Sequence, residues 1–357
     1  MTTPHAAFRN ARFFGSLDGL RAISVLAVIW HHVGPVHSEA MPYLLATGYH
    51  GVTLFFGISG FLIVTLLLRE HERTGSIDLK AFYMRRSLRI FPLYYAVIVV
   101  YAALVLVVER HTAPGREFFV NLPYFLTYTS NWFVHLEGRV IFYFAWSLAA
   151  EEQFYLVWPA LQKYLPMRRA LGLVVAAIAV VVAAQFWVGA DRAQRGLLLR
   201  IVTGVPLAIC FGVLLAHALH HRRSFDALRL LFGSRWASGA WLGVLLAALG
   251  WRASPEVLVH AAAALLVGAC VYREDHGLAA LLRMRAVAHV GAVSYGVYLM
   301  HMLVKGALGK VAVALHLELP ASAMFVLTVI GSVAIATLSF RTFEAYFLRK
   351  KHRYAAG

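Results

Sequence analysis

Ten long apolar stretches recur along this chain, and they constrain its fold more than any other feature. A helix that crosses a bilayer needs about 20 mostly apolar residues. Stretches of about this length lie at 17–36, 49–68, 90–108, 140–162, 170–190, 197–218, 236–251, 256–272, 287–308 and 321–340. The composition agrees, with 61% hydrophobic and 14% charged residues and a mean hydropathy of +0.69. The sequence therefore predicts an all-α, polytopic bundle of about ten transmembrane helices.

The basic residues predict the orientation of the chain. Its formal net charge is +16, and Lys and Arg concentrate in alternate connections, as the positive-inside rule describes. Arg9 and Arg12 precede the first stretch, residues 34–48 contain neither Lys nor Arg, and the next connection is strongly basic: Arg69, Arg73, Lys80, Arg85, Arg86 and Arg89. We therefore expect both termini to be cytoplasmic. The charge then reflects topology in a lipid bilayer, and no nucleic-acid partner is expected.

The apolar stretches follow one another without a long Pro/Gly/Ser linker between them, so we predict a single membrane domain over residues 1–357. It ends in a short basic cytoplasmic tail at 345–357. Counting 118–135 as a full span would place Lys163, Arg168 and Arg169 on the side of the membrane away from the cytoplasm. We therefore interpret residues 118–135 as an interfacial or re-entrant segment.

The leader has no separate apolar core and cleavage site, so the first helix should remain in a multi-pass protein of the inner (cytoplasmic) membrane. Cys210 and Cys270 both lie in apolar stretches, so we expect them to be buried thiols. Neither a metal site nor a permanently bound cofactor is predicted.

The first apolar stretch, "LDGLRAISVLAVIWHHVG", contains four ionisable residues: Asp18, Arg21, His31 and His32. Arg21 and His32 are eleven positions apart, about three helical turns, so they share one face at a separation of roughly 16 Å along the axis. Ionisable groups inside a membrane cost about 2.5 to 3.5 kcal/mol each and usually face a cavity or a partner. We therefore expect functional roles for Arg21 and His32. The alternatives are that Arg21 only reaches the lipid headgroups and that His32 only bonds a backbone carbonyl inside the bundle. Asp18 is expected to cap the helix.

Three motifs resemble the membrane-bound acyltransferase 3 family. "LDGLRAISVLAVIWHH" matches its signature of Arg, ten residues and His at Arg21 and His32. "HGVTLFFGISGFLIVTLLLRE" resembles the second helix of the family, although Thr53 stands where Asp or Asn is common. "FYMRRSLRIFPLYY" matches the Arg-x-x-Arg motif at Arg86 and Arg89.

A fourth motif, "FAWSLAAEEQFYLVWPAL", places Ser147, Glu151 and Tyr155 at successive i+4 positions on one helix face. Glu152 lies about 100° round the helix. The first glutamate of this motif is the more regular one in the family, so the resemblance favours Glu151 over Glu152.

A fifth motif, "SYGVYLMHML", puts Tyr298 and His301 on one helical stripe with Lys305. A lone histidine in such a helix is more often a packing residue. Within this stripe we assign Tyr298 and His301, together with Ser147 and Tyr155, to an acceptor pocket.

A sixth motif, "FRTFEAYF", matches the closing Arg and Glu of the family at Arg341 and Glu344. The six motifs lie between residues 17 and 344 in the family's order, so the resemblance covers nearly the whole chain.

The resemblance implies transfer of an acyl group, usually acetyl, from acyl-CoA as co-substrate to a hydroxyl, most often on a carbohydrate. His32 could act as general base near neutral pH. Glu151 could orient its imidazole, and Arg21 could steady donor phosphates or the oxyanion. Arg86 and Arg89 would bind donor phosphates through their guanidinium forks. Transfer through an acyl-histidine intermediate remains open.

Two other classes of function are compatible with buried Arg, His and Glu in a helical bundle. One is a secondary transporter of a small solute, and the other is a non-catalytic flippase or scaffold of glycan assembly. Some members of the family carry an extra hydrolase-like domain, and we expect this membrane domain to act alone or with a separate partner. The acceptor, the acyl chain, the side of modification and the oligomeric state are left open.

Overall fold

The computed structural model describes residues 3–11, 13–34, 41–188 and 196–354, and every regular element in them is helical. We number the longer helices α1 Gly15–Val33, α2 Gly51–Thr74, α3 Leu79–Leu104, α4 Ala113–Leu126, α5 Ala145–Tyr164, α6 Met167–Val188, α7 Leu207–His220, α8 Ala237–Gly250, α9 Glu256–Tyr272, α10 Ser294–Ala314 and α11 Ala321–Arg341. Each apolar stretch overlaps one of these helices, which confirms the all-α prediction. Arg12, the ends of two stretches (35–36 and 189–190) and tail residues 355–357 lie outside the described residues.

Six helical segments in the described part of the chain are long and apolar enough to cross a membrane: Gly48–Thr74, Leu79–Glu109, Met167–Phe186, Leu197–His220, Ser294–Ala314 and Ala321–Arg341. A seventh is counted if Pro4–Asn10 and α1, which meet at a 68° bend, form one span. Helices α8 and α9 are apolar but have only 14 and 17 residues. At 1.5 Å per residue they fall short of a hydrocarbon core of about 30 Å. The protein is thus a multi-pass helical chain, while the count of about ten spans and the cytoplasmic termini stay predictions.

Residues 118–135 do not form one continuous helix. Helix α4 ends at Leu126, Tyr128 adopts a left-handed backbone with φ of 54°, and a short helix follows at Ser130–Phe133. Gln153 of α5 holds this break, because its amide donates to the Tyr128 carbonyl at 2.8 Å and exchanges hydrogen bonds with Asn131 at 2.9 and 3.1 Å. A broken helix is compatible with an interfacial or re-entrant segment, which stays a prediction.

The described chain falls into two compact units, residues 1–69 with 211–345 and residues 70–210 with 346–357. In the first unit α1 packs against α9, α10, α11 and the short helix Arg285–Ala292. Its central side chains, such as Val25 and Ile29, are fully buried. The second unit contains α3 to α6 and the end of the chain. The prediction of a single membrane domain over 1–357 stays a prediction.

Glycines allow the backbone of α1 to touch its neighbours directly. A Cβ atom on Gly51 would lie 2.3 Å from the carbonyl oxygen of Ser24, and one on Gly19 would lie 2.3 Å from that of Leu282. A Cβ on Gly291 would approach the Asp18 carbonyl oxygen to 1.8 Å. Small residues permit this approach between helices that have little else to draw them together in lipid. Helix α1 is therefore held on several sides by backbone contacts.

The prediction that Asp18 caps α1 is wrong. The helix begins at Gly15, one turn earlier, and its N-cap Phe14 makes no side-chain capping bond. Asp18 therefore lies inside the first turn, and its carboxylate instead forms an ion pair with Arg21 at 2.8 Å, three residues along the same helix.

The first turn of α1 is tied to the segment that follows α9. The Ser16 hydroxyl lies 2.8 Å from Nε2 of His276, and Nε of Arg283 donates to the same hydroxyl oxygen at 3.2 Å. Ser16 and His276 are both buried. Burial, followed by the charge of Arg283, lowers the pKa of His276 to about 4, while Asp275 opposes the shift. His276 is therefore held in its neutral form at physiological pH.

Candidate active site

The last turn of α1 brings His32 against His301 of α10. Nδ1 of His32 lies 2.7 Å from Nε2 of His301, and Nδ1 of His301 lies 2.6 Å from the backbone carbonyl oxygen of Tyr298. His301 has no exposed surface, whereas His32 is half-buried. Tyr298 is buried as well, and its ring lies edge-on to that of Phe55 with 6.4 Å between centroids. Three predicted site residues therefore lie together in the first unit.

Lys305 adds a second link between the same two helices. Its ammonium group donates to the backbone carbonyl of His32, and this carbonyl belongs to the last turn of α1, where the helix has no internal donor for it. Lysine near a helix C-terminus also interacts favourably with the helix dipole. Helix α10 therefore contacts both the ring and the backbone of His32.

Further aromatic and imidazole rings continue from His32 in the first unit. The centroids of His31 and His32 are 5.4 Å apart, His31 lies 5.4 Å from Tyr49, and Tyr49 lies 4.2 Å from His50. Nδ1 of His50 lies 3.1 Å from the hydroxyl of Thr53. Thr53, which stands where Asp or Asn is common in the family, thus contacts an imidazole through its hydroxyl.

Arg21 lies at the opposite end of α1 from His32, about 16 Å away by helical rise. Its ion pair with Asp18 is partly exposed, with 26% of the arginine side chain and 15% of the aspartate side chain accessible. Arg21 and the histidine pair therefore occupy two ends of one helix. A ligand that touched both would have to extend along that helix.

The second unit groups the other predicted residues around Tyr155. The guanidinium of Arg86 on α3 lies 4.4 Å from the centroid of the Tyr155 ring, a cation–π distance. The Tyr155 hydroxyl donates to the carboxylate of Glu151 one turn earlier on α5. Ser147 is buried, and its hydroxyl donates to the Phe144 carbonyl at 3.1 Å. The i+4 face predicted from the sequence thus links Arg86 to Glu151 through Tyr155.

Positive charge concentrates at the start of α3 in the second unit. Arg85 donates to the carboxylate of Glu70 at 3.1 Å and to the backbone carbonyl of Tyr354 at 2.7 Å, which holds the chain end against α3. Lys351 of this chain end lies near the arginines of the motif. Its pKa is lowered by burial first and then by the charges of Arg86, Arg89 and Arg85. Arg89 is half-buried.

Two residues with structural importance for the site were not singled out by sequence reasoning. Lys305 stood on the predicted stripe with His301, and its charge within an apolar helix was a signal that it has a partner. Gln153 lies inside the fourth motif, and no pattern in the sequence indicates that its amide bonds the Tyr128 carbonyl and Asn131. The assignments of His32, Arg21, Glu151, Arg86, Arg89, Ser147, Tyr155, Tyr298 and His301 to catalysis or binding stay predictions.

Cys210 and Cys270 are buried free thiols, as expected. Among the residues that the structure describes, no group of three or more His, Cys, Asp or Glu side chains is arranged to hold a metal ion.

The described residues are those of a multi-pass helical protein that carries imidazole and guanidinium groups on apolar helices, which places it among polytopic membrane proteins with functional polar groups. Residues 14–341 match the family described as an acyltransferase domain, Acyl_transf_3. The chain therefore belongs to the acyltransferase 3 family, and the resemblance of its motifs is confirmed.

Similar proteins include Peptidoglycan O-acetyltransferase OatA of Listeria monocytogenes, 35% identical over 158 residues, which are 42% of this chain and 24% of OatA. "Putative peptidoglycan O-acetyltransferase YrhL" of Bacillus subtilis is 28% identical over 328 residues, 82% of this chain and 49% of the relative. The chain thus spans about a quarter of the length of OatA and about half of the length of YrhL. No solved structure matches it significantly.

Proposed function

We propose that this protein is an O-acyltransferase of the inner membrane that moves an acetyl group from acetyl-CoA to a hydroxyl of a carbohydrate. The observation that carries this proposal is the imidazole of His32, half-buried at the end of α1 and hydrogen-bonded to the fully buried His301. A histidine at such a position in an acyltransferase is suited to general-base catalysis. The names of the relatives support a glycan as acceptor.

The reaction requires an alcohol to attack a thioester, which is slow unless its proton is removed. His32 accepts the hydroxyl proton as the oxygen forms a bond to the acyl carbon. The carbon–sulfur bond then breaks, and the protonated imidazole returns the proton to the departing thiolate as CoA thiol. Atoms and charge balance without a metal, a resident cofactor or a redox partner.

We assign the donor to the basic residues at the start of α3. CoA carries a 3′-phosphate and a pyrophosphate, and guanidinium groups bind such groups bidentately. Arg86 and Arg89 supply two guanidiniums, and Lys351 supplies a third positive charge in the same unit. In this assignment the start of α3 faces the cytoplasm. Arg21, paired with Asp18, lies about 16 Å along α1 from His32, so we assign it to a donor phosphate and not to the oxyanion beside His32.

The test is transfer of radiolabelled acetyl from acetyl-CoA by the purified full chain in detergent micelles. Solubilised peptidoglycan strands and N-acetylglucosamine oligosaccharides serve as acceptors. We expect His32→Gln to lower kcat by about 10²- to 10⁴-fold, the usual contribution of a general base, with little change in KM for acetyl-CoA. His289→Gln is the matched control, because His289 is exposed in the same unit and bonds the Thr337 hydroxyl at 2.9 Å; it should retain the wild-type rate.

Three outcomes would contradict the proposal. Undiminished turnover in His32→Gln would exclude His32 as the base. Release of CoA without acetyl on either glycan would exclude these carbohydrates as acceptors. Uptake of a solute by proteoliposomes without any thioester turnover would favour a transporter instead.

A further inference from the structure

The contacts of His301 assign the proton on its ring. Nδ1 of His301 lies 2.6 Å from the carbonyl oxygen of Tyr298. A carbonyl oxygen only accepts hydrogen bonds, so Nδ1 of His301 must carry the hydrogen and donate it. A charge on a ring with no exposed surface would be costly. His301 is therefore neutral, and its Nε2 carries a lone pair.

The lone pair on Nε2 of His301 determines the proton on His32. Nδ1 of His32 lies 2.7 Å from this nitrogen, so Nδ1 of His32 is the donor. The two rings are nearly coplanar, with 10° between their planes and 4.9 Å between their centroids. The lone pair and the N–H bond of imidazole both lie in the ring plane, so this edge-to-edge arrangement favours the bond. In neutral His32 the basic lone pair then resides on Nε2.

The backbone of His32 is held by the same helix. Lys305 donates to the carbonyl of His32, four residues after His301 on α10. Helix α10 thus places the ring through His301 and the end of α1 through Lys305. This is the arrangement of a catalytic base whose tautomer and orientation are set by a third group.

We propose that His301 is a positioning residue, which holds His32 in the tautomer whose Nε2 removes the proton from the acceptor hydroxyl. This inference rests on the proposed function, in which His32 is the base. When Nε2 accepts the proton, the ring of His32 becomes an imidazolium, and its bond from Nδ1 to neutral His301 becomes charge-assisted. The proton then leaves from Nε2 to the thiolate, so His301 itself neither gains nor loses one.

Three substitutions at His301 separate this role from packing. Glutamine carries its amide oxygen about as far along the side chain as Nε2, so His301→Gln can still accept from His32. Asparagine reaches only about as far as Nδ1, so His301→Asn can keep the bond to the Tyr298 carbonyl but loses that to His32. His301→Leu loses both bonds and keeps apolar bulk.

The assay is acetyl transfer from acetyl-CoA to N-acetylglucosamine oligosaccharides by the purified full chain. We expect His301→Gln to remain within about tenfold of wild type, and His301→Asn and His301→Leu to lose roughly 10²- to 10⁴-fold in kcat, as expected for a base in the wrong tautomer. KM for acetyl-CoA should not change. In a His32→Gln background, His301→Asn should cause no further loss, because residues that act as a unit are not additive.

Several results would overturn the inference. Equal losses in the Gln and Asn variants would assign the effect to packing. An unchanged kcat with a raised KM for the oligosaccharide would make His301 an acceptor-pocket residue. A further loss on adding His301→Asn to His32→Gln would separate the two residues. If His32→Gln itself keeps its full rate, the proposed function fails, whatever the His301 variants do.

Nitrogen-15 NMR of the histidine-labelled wild-type chain tests the tautomer without any His301 variant. The signals of His32 are assigned by their loss in His32→Gln. We expect a protonated Nδ1 and an unprotonated Nε2 on His32 at neutral pH. The opposite pattern would overturn the inference even if activity depends on His301.

Discussion

Replacing Gly51 by alanine should displace the start of α2 from α1. The added Cβ would lie 2.3 Å from the Ser24 carbonyl oxygen and 3.0 Å from a methyl group of Val28. Ordinary contact begins near 3.4 Å, so the two backbones must separate by about 1 Å. Neither can yield by rotating a side chain, because the closest atom belongs to the backbone of α1. Gly48 makes the same kind of approach to Ala27, at 2.5 Å.

The expected magnitude follows from this displacement. Overpacking of a close interface costs about 1 to 3 kcal/mol of stability. Val28 lies one turn before His32 on α1, so a shift at this contact moves the turn that carries the imidazole. A misplacement of about 1 Å can reduce a rate by about 10²-fold when the geometry of the reacting groups is demanding. A loss of about 10²-fold in turnover corresponds to about 3 kcal/mol, so the effects on turnover and on stability should be of similar size.

Thermal unfolding in detergent and acetyl transfer from acetyl-CoA measure the two effects. Gly243→Ala is the matched control, because Gly243 lies in helix α8 of the same unit and a Cβ there would meet nothing within 4 Å. It should be neutral or more stable by about 0.5 to 1 kcal/mol, since alanine favours a helix over glycine. A Gly51→Ala protein with wild-type stability and turnover would refute the claim that direct backbone contact positions the end of α1.

Two further predictions concern charge. Lys351→Met should raise KM for acetyl-CoA several-fold but leave KM for S-acetylpantetheine unchanged, because that donor has no phosphate. Lys350→Met is the control and should change neither KM, because Lys350 is exposed and bonds the Tyr346 hydroxyl. Equal effects of Lys351→Met on both donors would exclude a phosphate role for Lys351. His276, with its pKa lowered to about 4 by burial and Arg283 against the opposing Asp275, binds a proton more weakly folded than unfolded. The contribution of His276 to the free energy of unfolding should therefore be fully present above pH 6.5. It should be lost as the pH falls towards 4, by at most about 3 kcal/mol. Melting curves should show less of this loss in His276→Gln, and an equal loss would exclude His276 as its source.

Local patterns were sufficient for much of the architecture. The ten apolar stretches each overlap a helix, because apolar runs and helical periodicity are properties of neighbouring residues. The position of Asp18 was misjudged by one turn, since helix ends depend on capping contacts that a run of apolar residues does not specify. The motifs identified the family, and they grouped Ser147, Glu151 and Tyr155 on one face by spacing alone.

The sequence by itself determined that this chain is helical, suited to a membrane and a member of the acyltransferase 3 family, because hydropathy and motif spacing are read along the chain. Only the tertiary structure decided that His32 meets His301, which is 269 residues away, and that Lys305 bonds the end of α1. Such pairings depend on which helices pack together and how closely their glycines let them approach. The orientation of the imidazole therefore follows from packing between helices, to which no local pattern in the sequence corresponds.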